Sequence, residues 1–233
     1  VTVGRFRKFV AAYNGPPAAG AGAHPLIANS GWQTAWNGSI ATSSAALTTA
    51  VQCEASTQTW HTDGSTDRLP MNCVSWFEAF AFCAWDGGRL PTETEWEYTA
   101  AGGSNEWEYP WGNTPVPISE QNNANATFYC WGDGSRDSCS FADILPAGSK
   151  PAGAGRWGQL DLAGSMWEWS LDWWSQYTIA CSNCANIASG TERMVRGGAW
   201  NYDASYLKAW YRNYAVGPEN RQSETGFRCA RTP

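Results

Sequence analysis

Charge is scarce in this chain. Asp, Glu, Lys and Arg make up 15% of its 233 residues, well below the quarter usual in globular domains. Basic runs are absent and the net charge is -6. That excludes the electrostatic footprint of a nucleic-acid binder and disfavours an anionic membrane surface. No apolar run approaches the ~18 residues needed to span a bilayer. Histidine is limited to His24 and His61, too few for a His-rich metal centre. GRLPT and GDGS lack the Lys-Ser/Thr partner of a phosphate-cradling loop. Asn72, Ser75 and His61 suggest no nucleophile-base pair. No signal peptide is visible at VTVGRFRKFV, which reads as the interior of a domain with residues expected upstream. Tandem repeats, low-complexity blocks and an obvious linker are missing too.

What is present is aromatic and turn-forming. The chain has 16 Trp, 24 Gly and 12 Pro, the composition of a loop-rich domain anchored by large rings. Its length favours one large domain over residues 1–233. Eight cysteines stand at 53, 73, 83, 130, 139, 181, 184 and 229. Only Cys181 and Cys184 are closely spaced, with no second pair, so disulfides are expected rather than a zinc site. Disulfides imply an oxidising compartment, and the low Lys content agrees with a secreted, cell-surface or periplasmic protein.

Along the chain, Phe6, Phe9, Val10 and Tyr13 share one face and predict a helix within residues 2–13. Residues 14–70 read as loop punctuated by Trp32, Trp36 and Trp60, with one short helix near 43–52. Ser75 with Glu78, and Thr92 with Glu95, are capping boxes that predict helices near 76–85 and 92–101. Gly87-Gly88 ends the first and Pro91 opens the second. YPWG at 109–112 is an aromatic turn, and 113–158 is again loop. Short strands are expected within 160–174, where Trp167, Trp169 and Trp173 keep one parity, and at 193–200 and 226–231.

VSWFEAFAFCAWDGGRLPTETEWEYTAAGG, YPWG, DLAGSMWEW, RGGAW and GFRCAR follow one another in this order. In that arrangement the chain resembles the formylglycine-generating enzyme, or sulfatase-modifying-factor, family across nearly all of residues 1–231. The resemblance implies an α+β fold. It would be a single irregular, loop-rich domain of C-type-lectin-like type, with short helices, short antiparallel strands and disulfide staples. Members of the family include copper- and oxygen-dependent oxidases of a substrate cysteine, iron enzymes of sulfur-histidine chemistry, inactive paralogues and ligand-binding surface proteins. Fold therefore leaves function open.

In the namesake enzymes two cysteines after the RGG landmark hold copper, because Cu(I) favours soft thiolates. Carried over from Arg196-Gly197-Gly198, those positions are Tyr202 and Leu207, and no cysteine lies between Cys184 and Cys229. The resemblance thus argues against copper here. Cys181 and Cys184 could hold a soft metal or a redox disulfide, but no basic residue or helix start nearby would lower a thiol pKa; a local structural disulfide is the simpler reading. The iron branch relies on a histidine triad that two histidines do not supply. Glu93, Glu95 and Glu97, with Asp161, Glu168 and Asp172, could form a carboxylate pair, yet an exposed helix face with charge at its start explains the first group.

The resemblance also implies calcium. Side-chain oxygens of Asp161 and Glu168, with the carbonyls of Gly164 and Met166, would be an all-oxygen set suited to a hard cation. The competing reading pairs Glu168 with an arginine such as Arg196. A second site would use Asn125 and Ala126, with Asp137 and Asp143 as candidates. One disulfide carries over from the family, Cys83 with Cys229. Cys53 with Cys73, Cys130 with Cys139 and Cys181 with Cys184 are pairings suggested by proximity alone, since eight cysteines permit 105 connectivities. Arg89, Arg196, Arg212, Arg221 and Arg228 are expected to tie loops together through their planar guanidinium groups.

A non-catalytic binding or assembly domain, extracellular and calcium-stabilised, is the function these readings favour. Its ligand surface would combine the 28–65 loops with Tyr202, Asp203, Ser205, Lys208, Tyr211 and Tyr214, with Tyr206 and Trp210 turned inward. Rigid rings bearing hydroxyls suit a protein or glycan ligand at the cell surface, or self-assembly. A metal-dependent oxidase with an atypical site is the alternative.

Overall fold

A computed structural model describes residues 1–116, 123–135, 138–176, 184–212 and 215–232. Among them are four short helices and one small sheet, joined by loops and isolated 3-10 turns. Helix α1 spans Val3–Ala12, capped by the Thr2 hydroxyl, and buries Val3, Phe6, Phe9 and Val10. The predicted face is therefore the buried one. Helix α2 is Ser44–Ala50, opened by Ser43. Helices α3, Trp76–Trp85, and α4, Glu93–Ala100, begin at the two capping boxes, each with both reciprocal hydrogen bonds formed. A capping box satisfies two orphan backbone donors locally, so it fixes a helix start even in a short element.

Helix α3 is the axis of the core. Every residue from Trp76 to Cys83 is buried, so its buried surface runs nearly all round. Phe6 stacks on Phe82 at 5.6 Å, joining α1 to α3. Trp32 and Trp36 pack edge-on against Phe80, at 5.7 Å each, which anchors the long loop before α2. Trp60 meets Phe6 at 6.1 Å. The 28–65 loops are thus placed by α1 and α3.

The sheet has strands β1 (Trp167–Trp173), β2 (Arg193–Arg196), β3 (Ala215–Val216) and β4 (Thr225–Gly226), in the order β3-β2-β1-β4. β2 pairs antiparallel with both β1 and β3. β4 pairs parallel with β1, which corrects the expectation of antiparallel strands alone. Three strand boundaries are also shorter than predicted. Residues 160–166 stay outside β1 because Asp161, Gly164 and Ser165 adopt left-handed backbone, with φ of 55°, 71° and 64°. β2 ends where Gly197 and Gly198 turn the chain with φ of 103° and 75°. Among the described residues beyond Gly226, Ala230 forms an isolated bridge with Arg89 and no named strand follows. Parity along β1 does not separate inside from outside, since all its residues but Trp173 are buried.

Disulfides join Cys53 to Cys73, Cys83 to Cys229 and Cys130 to Cys139. Cys184 is disulfide-bonded as well; its expected partner, Cys181, lies outside the described residues. No helix among the described residues is long and apolar enough to cross a membrane.

Candidate functional site

The segment after the glycine turn forms a cluster of rings on β1. Asp203 accepts from the amide of Ser205 at 2.8 Å and from its hydroxyl at 2.5 Å, opening a 3-10 turn over Ala204–Leu207. That turn brings Tyr202 and Tyr206 together with ring centroids 5.0 Å apart, and Tyr211 follows 4.8 Å from Tyr206. All three surround the buried Trp167, at 5.4, 5.9 and 6.2 Å. Burial pushes the Tyr211 hydroxyl above its ordinary pKa, and the neighbouring Tyr206 adds to it. The Tyr211 phenol stays protonated near neutral pH, and the three hydroxyls can serve as donors and acceptors.

Tyr202 and Leu207, where the family resemblance implies the copper cysteines would stand, serve different clusters. Leu207 is buried among Tyr109, Phe128, Ala163 and Ala204. Tyr202 is partly buried against the main core. Asp203 and Ser205 are engaged with each other. Lys208 pairs with Glu108 at 2.9 Å and lies 5.0 Å from the Trp210 ring centroid. Tyr206 is half-buried, as expected, but Trp210 is 55% exposed. The inward placement expected of Trp210 is therefore wrong: the backbone turns at Ala209, which takes the buried position, and the next side chain points out. Tyr214 lies outside the described residues.

Two residues of the calcium set, Glu168 and, through its backbone carbonyl, Asp161, meet a different cation, Arg228. Arg228 donates to Glu168 from Nε at 2.5 Å and from Nη2 at 2.8 Å, and the Trp96 indole donates to Glu168 at 2.7 Å. Asp161 accepts from the Gly148 amide at 2.7 Å, and burial pushes its carboxyl above the usual range. Asp161, Met166, Glu168 and Arg228 line one cavity of about 130 Å³. As arranged, the donors at Glu168 do not fit a calcium ion, because a guanidinium already satisfies that carboxylate. Glu168 pairs with Arg228 rather than with Arg196.

At the second set, Asn125 donates from its side chain to the Ala152 carbonyl at 2.9 Å. Its amide and that of Ala126 donate to Asn123 at 2.8 and 3.0 Å. Buried Asp143 accepts from the amides of Gly132 and Ser140 at 3.0 and 2.8 Å. Asp137 lies outside the described residues. Among the described residues, no group of three or more His, Cys, Asp or Glu stands in metal-holding proximity.

The glutamates of α4 correct another expectation. Glu93 is buried, not part of an exposed face. Arg212 grips it from Nε at 2.7 Å and Nη2 at 3.0 Å. Arg196, fully buried, pairs with Glu97 at 2.5 Å and donates to the Ala209 carbonyl at 3.1 Å. This network seats the 209–212 segment on α4 and so positions Tyr211. Arg221 likewise holds buried Glu78 at 2.6 Å. The motif arginines were legible as ties; their partners, over 90 positions away in these three pairs, were not.

The chain matches the sulfatase-modifying factor enzyme 1-like domain over residues 1–233. Formylglycine-generating enzyme of Mus musculus is 34% identical over 166 residues, 69% of this chain and 44% of that protein. Inactive C-alpha-formylglycine-generating enzyme 2 of Bos taurus is 33% identical over 166 residues, 70% of this chain and 50% of that protein. The matched part thus spans about half the length of these relatives. Among solved structures, PvdO from Pseudomonas aeruginosa superposes with a TM-score of 0.62 at 22% identity, covering 97% of this chain and 76% of that one. With that fold, and with relatives above 30% identity, the chain belongs to the family of sulfatase-modifying factor enzyme 1-like domains.

Proposed function

We propose that this domain is a non-catalytic binding or assembly module of an oxidising, extracellular compartment, whose ligand surface is the ring cluster of Tyr202, Tyr206 and Tyr211. The observation that carries this reading is the occupancy of the two positions where the resemblance implies the copper cysteines. Leu207 is buried in an apolar cluster, and Tyr202 belongs to a ring stack on Trp167. Neither offers a soft ligand, and no described cysteine is a free thiol. An inactive relative in the same family supplies a precedent, and disulfides fit the compartment. Half-buried rings with polar rims suit a protein or glycan partner.

Calcium at Asp161, Gly164, Met166 and Glu168 is a separate proposal, confined to a form in which Arg228 has left Glu168.

The test measures metal content, oxygen uptake on a cysteine-containing peptide, and capture of surface proteins or glycans. Loss of capture in Tyr202→Ala and Tyr211→Ala supports the reading. Stoichiometric copper with oxygen uptake would overturn it in favour of an oxidase with an atypical site.

A further inference from the structure

Helix α4 divides its side chains between two roles. Glu93, Trp96 and Glu97 turn toward Arg212, Glu168 and Arg196. Thr94 and Tyr98, one turn apart, are exposed. Tyr98 is 57% exposed and its ring stacks on that of Trp157, with centroids 5.8 Å apart and planes at 18°. The stack is anchored. Arg156 packs on Trp157 at 5.4 Å and donates to the Gly102 carbonyl at 3.0 Å. Gly103 lies against both rings: a Cβ there would stand 3.1 Å from each. An aromatic platform fixed this way loses little freedom when a ligand settles on it.

Tyr98 opens onto a cavity of about 200 Å³, which it lines with His24, Ile27, Thr92, Thr94, Glu95 and Cys184. The polar side of this cavity is built. Arg89 donates to both carboxylate oxygens of Glu95 at 2.6 Å, and the Thr92 amide donates at 2.9 Å. The Leu26 amide donates to Nδ1 of His24 at 3.1 Å, so the proton sits on Nε2, 3.3 Å from Glu95. Burial opposes ionisation of Glu95, but Arg89 and Thr92 outweigh it and hold its carboxyl below the usual range.

The ligand chemistry follows. Glu95 is an acceptor whose charge Arg89 already matches, so a cation gains little there. An anion would face a carboxylate. A neutral ring with one C–H face and a rim of hydroxyls suits the aromatic platform and the polar wall together. We infer that this cavity is a saccharide subsite, taking one neutral pyranose with its C–H face on Tyr98 and its hydroxyls toward Glu95 and Thr94. It shares no residue with the tyrosine cluster on Trp167.

An array of neutral hexose and N-acetylhexosamine oligosaccharides, followed by calorimetry with the strongest binder, tests this. Wild type, Tyr98→Ala, Tyr98→Trp and Tyr202→Ala are compared, each checked by its thermal transition. Wild type binds, Tyr98→Ala weakens binding by about tenfold or more, and Tyr98→Trp retains it. Absence of neutral-glycan binding overturns the inference, as does unchanged binding in Tyr98→Ala. Loss in a folded Tyr98→Trp overturns the stacking basis. Loss confined to Tyr202→Ala overturns this subsite while supporting the tyrosine surface, so the two readings fail separately.

Discussion

The guanidinium carbon of Arg193 lies 3.5 Å from the ring centroid of Trp173, and Trp76 approaches the same group at 3.7 Å. The side chain is 1% exposed, and Nη1 donates to the Leu171 carbonyl at 2.6 Å. Burial lowers its pKa to about 9, with Asp172 acting in the opposite sense, so it stays charged at neutral pH. The indole box of this fold is filled by the protein's own cation. Arg193→Met is expected to cost about 2–4 kcal/mol, from the lost cation–π and charged hydrogen-bond terms. Arg193→Lys should not restore it, because a compact ammonium cannot lie flat between two indoles. Denaturant unfolding measures both.

Asp172 gives a pH dependence of defined sign. Its carboxylate accepts from the Glu93 and Asn186 amides at 2.8 Å each. Burial nevertheless raises its pKa from 3.8 to about 6, with Glu93 adding to the rise and Arg193 opposing it. A folded pKa above the unfolded one means the native state binds the extra proton. This contribution is therefore complete below about pH 4 and lost as pH rises through about 6, a change of about 3 kcal/mol. Subtracting the stability curve of Asp172→Asn from that of wild type should reveal it. A difference curve that is flat, or rises with pH over that window, refutes it.

Arg228 and Glu168 form the tie that competes with calcium. Arg228→Gln leaves a buried carboxylate without its cation and should cost about 3–5 kcal/mol. Millimolar calcium should raise the transition temperature of Arg228→Gln and leave wild type unchanged. A rise that persists in the Arg228→Gln, Glu168→Gln double variant would place the ion elsewhere.

Replacing both Cys83 and Cys229 by Ser opens a link across 146 positions between α3 and the terminal segment. The expected loss is about 2–5 kcal/mol. Removing Cys53–Cys73, which spans 20 positions, should cost less in calorimetry if loop length governs the gain.

Local signals carried their own positions well. Ser75 with Glu78 and Thr92 with Glu95 marked two helix starts, because a capping box is a contact over three residues. Features set by distant neighbours were hidden. Nothing near Glu93 announces Arg212, so a buried anion looked like an exposed one. Asp161 and Ser165 hold left-handed backbone without being glycine, so the start of β1 could not be read from its Trp parity. Trp210 and Tyr98 are large rings, and hydrophobicity alone ranks them as core; their exposure comes from where the turn and helix face lie.

The arginine ties have a kinetic consequence. Arg221 meets Glu78 across 143 positions, Arg212 meets Glu93 across 119 and Arg228 meets Glu168 across 60. Helices as short as these form within microseconds. The pairings that hold them require remote segments to find one another, which slows folding at any given stability. Refolding followed by tryptophan emission with disulfides intact should therefore be paced by the search for these partners, long after the helices first flicker into being.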